Sequence, residues 1–232
     1  MKALALVLAL LAAGSVPAFA QTTIASWDFE TVTISGAAAD FGPIAASIGT
    51  GSAAGHHAAA TTTWSSPVGN GSTKSFSSNA WAVGDYYQFQ ASSIGSSGLT
   101  VAFDQTGSST GPKDFKFSYS TDGLNFTQFS TYSVLLNGAP NTPWGSGSVS
   151  SLYHNSYDLS SISALDNATN VYFRLIDNST TSLGGATVAS GGTDRVDNFS
   201  ITVIPEPSTY ALLLGSVGFA GVLLRRRRCA QI

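Results

Sequence analysis

The sequence is poor in cysteine, in histidine and in charge of either sign, and each shortage excludes something. Cys229 is the single cysteine and lies beyond a run of four arginines near the C-terminal end, so no disulfide framework holds the chain. Charged residues make up 10% of it, against about 25% in ordinary globular domains. Outside the two ends only Lys74, Lys113, Lys116, Arg174 and Arg195 are basic, which excludes the basic patch that nucleic-acid binding needs. The histidines, His56, His57 and His154, have no Cys, Asp or Glu beside them at metal-ligand spacing, and no Gly-x-Ser-x-Gly elbow is present. Helical periodicity is absent as well. The expectation is a protein that is not an enzyme.

Both ends read as addresses. Lys2, the apolar stretch from Ala3 to Ala13 and the small-x-small pattern Ala18-Phe19-Ala20 come in the order of a secretory signal peptide, residues 1–20, leaving Gln21 as the new N-terminus after signal peptidase. At the other end, Pro205-Glu206-Pro207 precedes an uncharged apolar run from Tyr210 to Leu224, followed by Arg225, Arg226, Arg227 and Arg228. Fifteen helical residues span about 22 Å, short of a ~30 Å hydrocarbon core, but Ser208, Thr209 and snorkelling arginines extend them to a minimal crossing. The arginines resist translocation and are expected to stay on the cytoplasmic side of the inner membrane. The two prolines fix φ, lack an N–H and end the preceding strand in an extended, accessible segment.

This order of triplet, apolar run and arginine cluster resembles the PEP-CTERM sorting signal, here residues 205–232. The resemblance implies a partner, exosortase, an integral-membrane sorting enzyme of Gram-negative bacteria that also make extracellular polysaccharide. It further implies export and a final place at the envelope surface or outside the cell.

The remaining residues, 21–204, suffice for one domain with a core. Twelve acidic residues against five basic ones give it a net charge of −7. Short alternating runs recur between turn residues: 24–30, 84–91, 98–105, 114–120, 126–132, 170–177 and 195–203. In 114–120, Phe115, Phe117 and Tyr119 share one face, and the Asp122-Gly123 pair turns the chain back as a hairpin. Strands at this spacing without intervening helices predict an all-β fold, an antiparallel β-sandwich or jelly roll. The Ala/Gly-rich stretch 36–63 reads as a long mobile loop. The motifs at 111–129, "FRL" and "RVDNFSI" resemble the β-sandwich bodies of PEP-CTERM proteins and jelly-roll carbohydrate-binding modules.

Two binding chemistries are open to such a domain. Trp64, Trp81, Tyr86, Tyr87, Trp144 and Tyr153 are candidates for stacking on sugar rings of an extracellular polysaccharide. Tyr86 and Tyr87 are adjacent, so one faces in and the other out, while Pro140, Pro143 and three glycines place Trp144 in a loop. Asp28 and Glu30 on the first strand, with Asp194 and Asp197 on the last, are candidates for calcium, which takes six to eight oxygens. The resulting expectation is a structural or adhesion component of a polysaccharide matrix or biofilm. The alternative is a carbohydrate-binding module, with calcium as its one candidate cofactor, and a glycan hydrolase is a distant third.

The exported protein is expected to end near residues 204–207. Intact-mass measurement of surface or secreted material checks this, and a mature chain still carrying Arg225 to Arg228 would overturn it.

Overall fold

The computed structural model describes residues 21–205. The signal-peptide reading and the apolar run 210–224 lie outside the described residues. Among those described, no helix is long and apolar enough to cross a membrane.

Fifteen strands follow one another with only two short 3-10 turns between them: β1 (Thr22–Trp27), β2 (Ser35–Ala37), β3 (Asp40–Ala45), β4 (Ile48–Gly49), β5 (Gly51–His56), β6 (Thr63–Ser65), β7 (Phe76–Ser78), β8 (Tyr86–Ala91), β9 (Ser96–Gly107), β10 (Asp114–Ser120), β11 (Thr127–Ser133), β12 (Leu135–Leu136), β13 (His154–Asp158), β14 (Val171–Asp177) and β15 (Asp194–Pro205). They form two sheets. A six-stranded sheet runs β11-β10-β14-β8-β5-β3 and is antiparallel throughout. A nine-stranded sheet runs β12-β9-β15-β7-β6-β2, with β1 added beside β15, β4 beside β1 and β13 beside β9. The architecture is the expected antiparallel β-sandwich.

The alternation in the sequence becomes the core. Tyr87 and Phe89 of β8, Phe115 and Phe117 of β10, and Val171, Phe173 and Leu175 of β14 meet Leu99, Val101 and Phe103 of β9 and Phe199, Ile201 and Val203 of β15. Phe89 and Phe199 stack across the two sheets, centroids 3.5 Å apart and planes 4° apart. Trp27 packs edge-on against both. Strand β15 is the hub of its sheet, pairing with β1, β7 and β9. Its register shifts between Asp197 and Ser200, where Asn198 takes φ 51°, a left-handed bulge that Asn tolerates.

Two expectations need correction. The first strand was expected over 24–30, but β1 ends at Trp27 and Phe29 adopts φ 57°. Asp28 and Glu30 therefore sit in a turn and do not share a strand face. The stretch 36–63 is not a mobile loop: it supplies β2, β3, β4 and β5 and leads into β6. Its small residues are a packing requirement. A Cβ on Gly55 would stand 2.1 Å from the Trp64 ring, and one on Gly51 2.9 Å from the Trp27 ring. Glycine clears the space over which two buried tryptophans lie.

Gly55→Ala is accordingly expected to destabilise the fold by about 1–3 kcal/mol through overpacking. Gly145→Ala, where an added Cβ meets nothing within 4 Å, should be near neutral. Urea or thermal unfolding of the two variants tests the contrast.

Candidate functional site: the outer face of the six-stranded sheet

Residues that alternate with the core positions of β5, β8 and β14 form a half-buried polar and aromatic face. Cross-strand register sets His56 opposite Tyr86, Tyr86 opposite Ile176, Gln88 opposite Arg174 and Gln90 opposite Tyr172. Arg174 is the centre of this face. Its guanidinium carbon lies 3.8 Å from the ring centre of Tyr86 and 3.8 Å from that of Phe126, and its Nε donates to Gln88 Oε1 at 2.7 Å. Burial pushes its pKa down, with the Tyr86 hydroxyl acting in the opposite sense, but a guanidinium remains charged at neutral pH. Cation–π contacts on two sides hold that charge in one place. Beyond it, Ser52 donates to Gln90 Oε1, and Gln90 Nε2 donates to Asn170 Oδ1. On the other flank His56 packs against Tyr86, and its Nδ1 lies 2.5 Å from Asp40 Oδ1.

The β10–β11 hairpin puts Phe126 in place. Asp122 Oδ1 accepts the N–H groups of Leu124 and Asn125, and Asp122 Oδ2 accepts the Asn125 side-chain amide. With the Asn125 side chain as the largest cause, these donors hold the Asp122 carboxyl well below the usual carboxylate range. This Asx-type turn fixes the tip, so the residue leaving it lands over Arg174. The face thus offers a fixed cation, amide groups and a tyrosine, the chemistry that recognises a hydroxyl-rich or acidic polymer.

The structure divides the aromatic candidates. Tyr86 faces out and Tyr87 in, as adjacency on a strand demands. Trp64, Trp81, Tyr87 and Tyr153 are buried, and so is Trp144, at 4% exposure. Trp144 was expected to present a ring from its loop. Instead its Nε1 donates to Val68 O at 2.7 Å and its ring meets Tyr153 edge-on, beneath the loops that cover the nine-stranded sheet. A sugar reaches none of these five rings. Arg174, Gln88 and Phe126 were not singled out in the sequence, although the outward positions of "VYFRLID" and "YYQFQA" would have yielded the first two.

The four acids proposed for calcium are not gathered at one point. Both Glu30 oxygens are taken by Thr73 and Lys74, and Asp28 Oδ1 accepts from Ser47 and the Glu30 N–H. Asp197 accepts from the Asn70 and Asn198 N–H groups and from Ser72 Oγ. Asp194 points into the core, where Gln105 donates to Oδ1 while Oδ2 is buried without a partner; burial pushes this carboxyl well up. No group of three or more His, Cys, Asp or Glu among the described residues is arranged to hold a metal. Glu30 and Asp197 already accept N–H and O–H donors on the oxygens that a cation would need.

Two polar clusters escaped the sequence reading because their members are far apart in the chain. Asp104 and Asp197 are cross-strand partners on the covered face of the nine-stranded sheet. Asp104 takes amide donors from Asn70 and Asn198 on Oδ2 and lies 2.9 Å from His154 Nδ1. Within the core, Ser78 Oγ is 3.0 Å from His57 Nε2, and His57 Nδ1 is 2.9 Å from Asp85 Oδ2, with its N–H poorly aligned on that oxygen. Burial opposes ionisation of Asp85, but His57 and the N–H groups of Ala58 and Ala82 outweigh it and lower its pKa. The Ser-His-Asp order resembles a hydrolytic relay. All three are buried, and Trp64 and Trp81 pack edge-on against the imidazole, so no substrate carbonyl reaches the hydroxyl.

Burial is the largest cause that raises the Asp197 carboxyl to about 7, with Asp104 adding repulsion, and burial likewise raises Asp177 to about 6. Folded, these two groups hold protons that the unfolded chain releases near 3.8, so their contribution to stability is full below about pH 4 and is lost as pH rises to about 6 and 7, whereas the lowered Asp122 and Asp85 carboxyls weaken the fold as pH falls below about 4. The melting temperature should decline from about pH 5 to pH 7 and level off above it, and Asp197→Asn should flatten some of that decline. A wild-type profile that rises over this interval would overturn the assignment.

Residues 203–228 match the PEP-CTERM protein-sorting motif. No curated protein matches the sequence. Among solved structures, a Clostridium thermocellum endo-1,4-beta-D-xylanase comprising CBM22-1 and GH10 modules, complexed with xylohexaose, is 14% identical with a TM-score of 0.44, covering 78% of this chain and 28% of that one. The K1 cleaved adhesin domain of Lys-gingipain from Porphyromonas gingivalis is 12% identical with a TM-score of 0.41, covering 78% and 97%. The CBM22-1 xylan-binding domain from Paenibacillus barcinonensis is 10% identical with a TM-score of 0.38, covering 82% and 99%. These likenesses are loose and carry nothing about ligand or activity. The sorting motif is the specific match, and by it this chain is an exported protein processed by exosortase.

Proposed function

We propose that the protein is a non-enzymatic component of an extracellular polysaccharide matrix, anchored in the inner membrane as a precursor and then sorted outward. In this reading the outer face of the six-stranded sheet binds the polymer. The clamped guanidinium of Arg174, flanked by Gln88, Gln90 and Tyr86, carries the proposal. A cation whose position is already fixed by two rings loses little freedom on binding, so its hydrogen bonds to a ligand are not offset by a large ordering cost. Lys116 lies on the neighbouring strand, opposite Ile176. Two of the five cations of a net-acidic domain thus share one face, which favours a polymer bearing carboxylates as well as hydroxyls. The sequence expectation of tryptophan platforms has no place in this reading, because the tryptophans are core.

Affinity electrophoresis through gels containing neutral and uronic-acid polysaccharides tests it. Arg174→Ala is expected to weaken retention by the acidic polymer at least tenfold, since a charge-assisted hydrogen bond contributes about 1.5–3 kcal/mol. Retention of Arg174→Ala equal to wild type on every retarding polymer, or no retardation of wild type by any, would overturn the proposal. Release of reducing ends from the same polymers would contradict its non-enzymatic character.

A further inference from the structure

The sorting motif begins inside the fold. Its match starts at residue 203, whereas β15 continues to Pro205. Val203 is buried in the core, and Pro205 is in register with Ser96 of β9. No spacer separates the body from the motif. The other end of the body is beside it, because Thr22 pairs with Val203. The chain thus enters and leaves the sandwich at the same end.

That end has a distinct surface. Ile94, 63% exposed, projects from the turn joining β8 to β9, and Ile204, 37% exposed, projects from β15. The turn is pinned. Ser93 Oγ donates to Leu165 O, Ser93 N–H donates to Ala168 O, and Gly95 N–H donates to Asn167 Oδ1. Residues 21–23, 92–98 and 203–205 contain no charged residue. The acids nearby are engaged with backbone: Asp166 accepts the Gly98 N–H and Asp158 the Ser160 N–H.

We propose that this end, presenting Ile94 and Ile204, is the lipid-facing surface of the anchored precursor. The proposal rests on the reading that 210–224 anchors the precursor in the membrane. Only residues 206–209 lie between β15 and that apolar run. Four residues reach at most ~14 Å when fully extended, and the interfacial layer of one leaflet occupies roughly half of that. The body is therefore held against the headgroups, and the segments 92–98 and 203–205 that it turns to them carry no charge, with two exposed isoleucines at a depth where apolar side chains gain from burial.

The test uses the full-length precursor with Cys229→Ser, reconstituted in phosphatidylcholine vesicles containing a headgroup-nitroxide lipid. A bimane probe is attached at Ile94→Cys, or at Val83→Cys, which is 55% exposed beyond the far end of β8. Flotation is measured first. Co-flotation with at least threefold stronger quenching at position 94 than at 83 is the expected result. Co-flotation with equal quenching would overturn the lipid-facing assignment while leaving the anchor intact. Failure to float would overturn the anchoring reading and this proposal with it.

Discussion

Strand β15 is hydrogen-bonded on both sides, to β9 along most of its length and to β1 or β7 in turn, while its inward side chains build the centre of the core. The stack of Phe199 on Phe89 ties that strand to the middle of the opposite sheet. The left-handed Asn198 lets one strand serve two neighbours: before it β15 pairs with β7, after it with β1. The same residue donates its amide to Asp104 and to Asn70 O, fastening the loop that covers the Asp104–Asp197 pair. Remote features of the fold meet at this one bulge.

Much of the fold was legible because a strand with one buried face must alternate. β8, β10, β14 and β15 lie within one or two residues of the segments that alternation marked out. The stretch 36–63 was illegible for a physical reason. Its inward positions include Ala53 and Gly55, which do not register as an apolar pattern. The smallness of Gly51 and Gly55 matters only once Trp27 and Trp64, from other segments, are known to lie over them. A pattern of side chains reveals what fills space and misses what must leave it empty.

The candidate site was partly legible on the same principle. Alternation separated Tyr86 from Tyr87 correctly, and it would have placed Arg174 on the outer face. It said nothing about the clamp, because Phe126 reaches Arg174 only through the turn organised by Asp122. The prolines and glycines around Trp144 did predict a loop, but a loop laid back over a sheet buries its large residue as a strand would. The Ser78–His57–Asp85 alignment warns in the same way that proximity alone does not make a reactive centre: two indoles occupy the room a substrate would need.

The direct continuation of β15 into the sorting motif also has a mechanical side. If the sorted protein is held by its C-terminal end while polymer grips the other sheet, a pull travels lengthwise along β15. Its ladder bonds to β9 and β1 would then resist sliding together, whereas a strand peeled from its end loses its bonds singly. Force would pass first through the strand whose side chains are most deeply embedded, so failure of the attachment would require the core to break. An edge strand in that position would let the body unravel under the drag of flowing water.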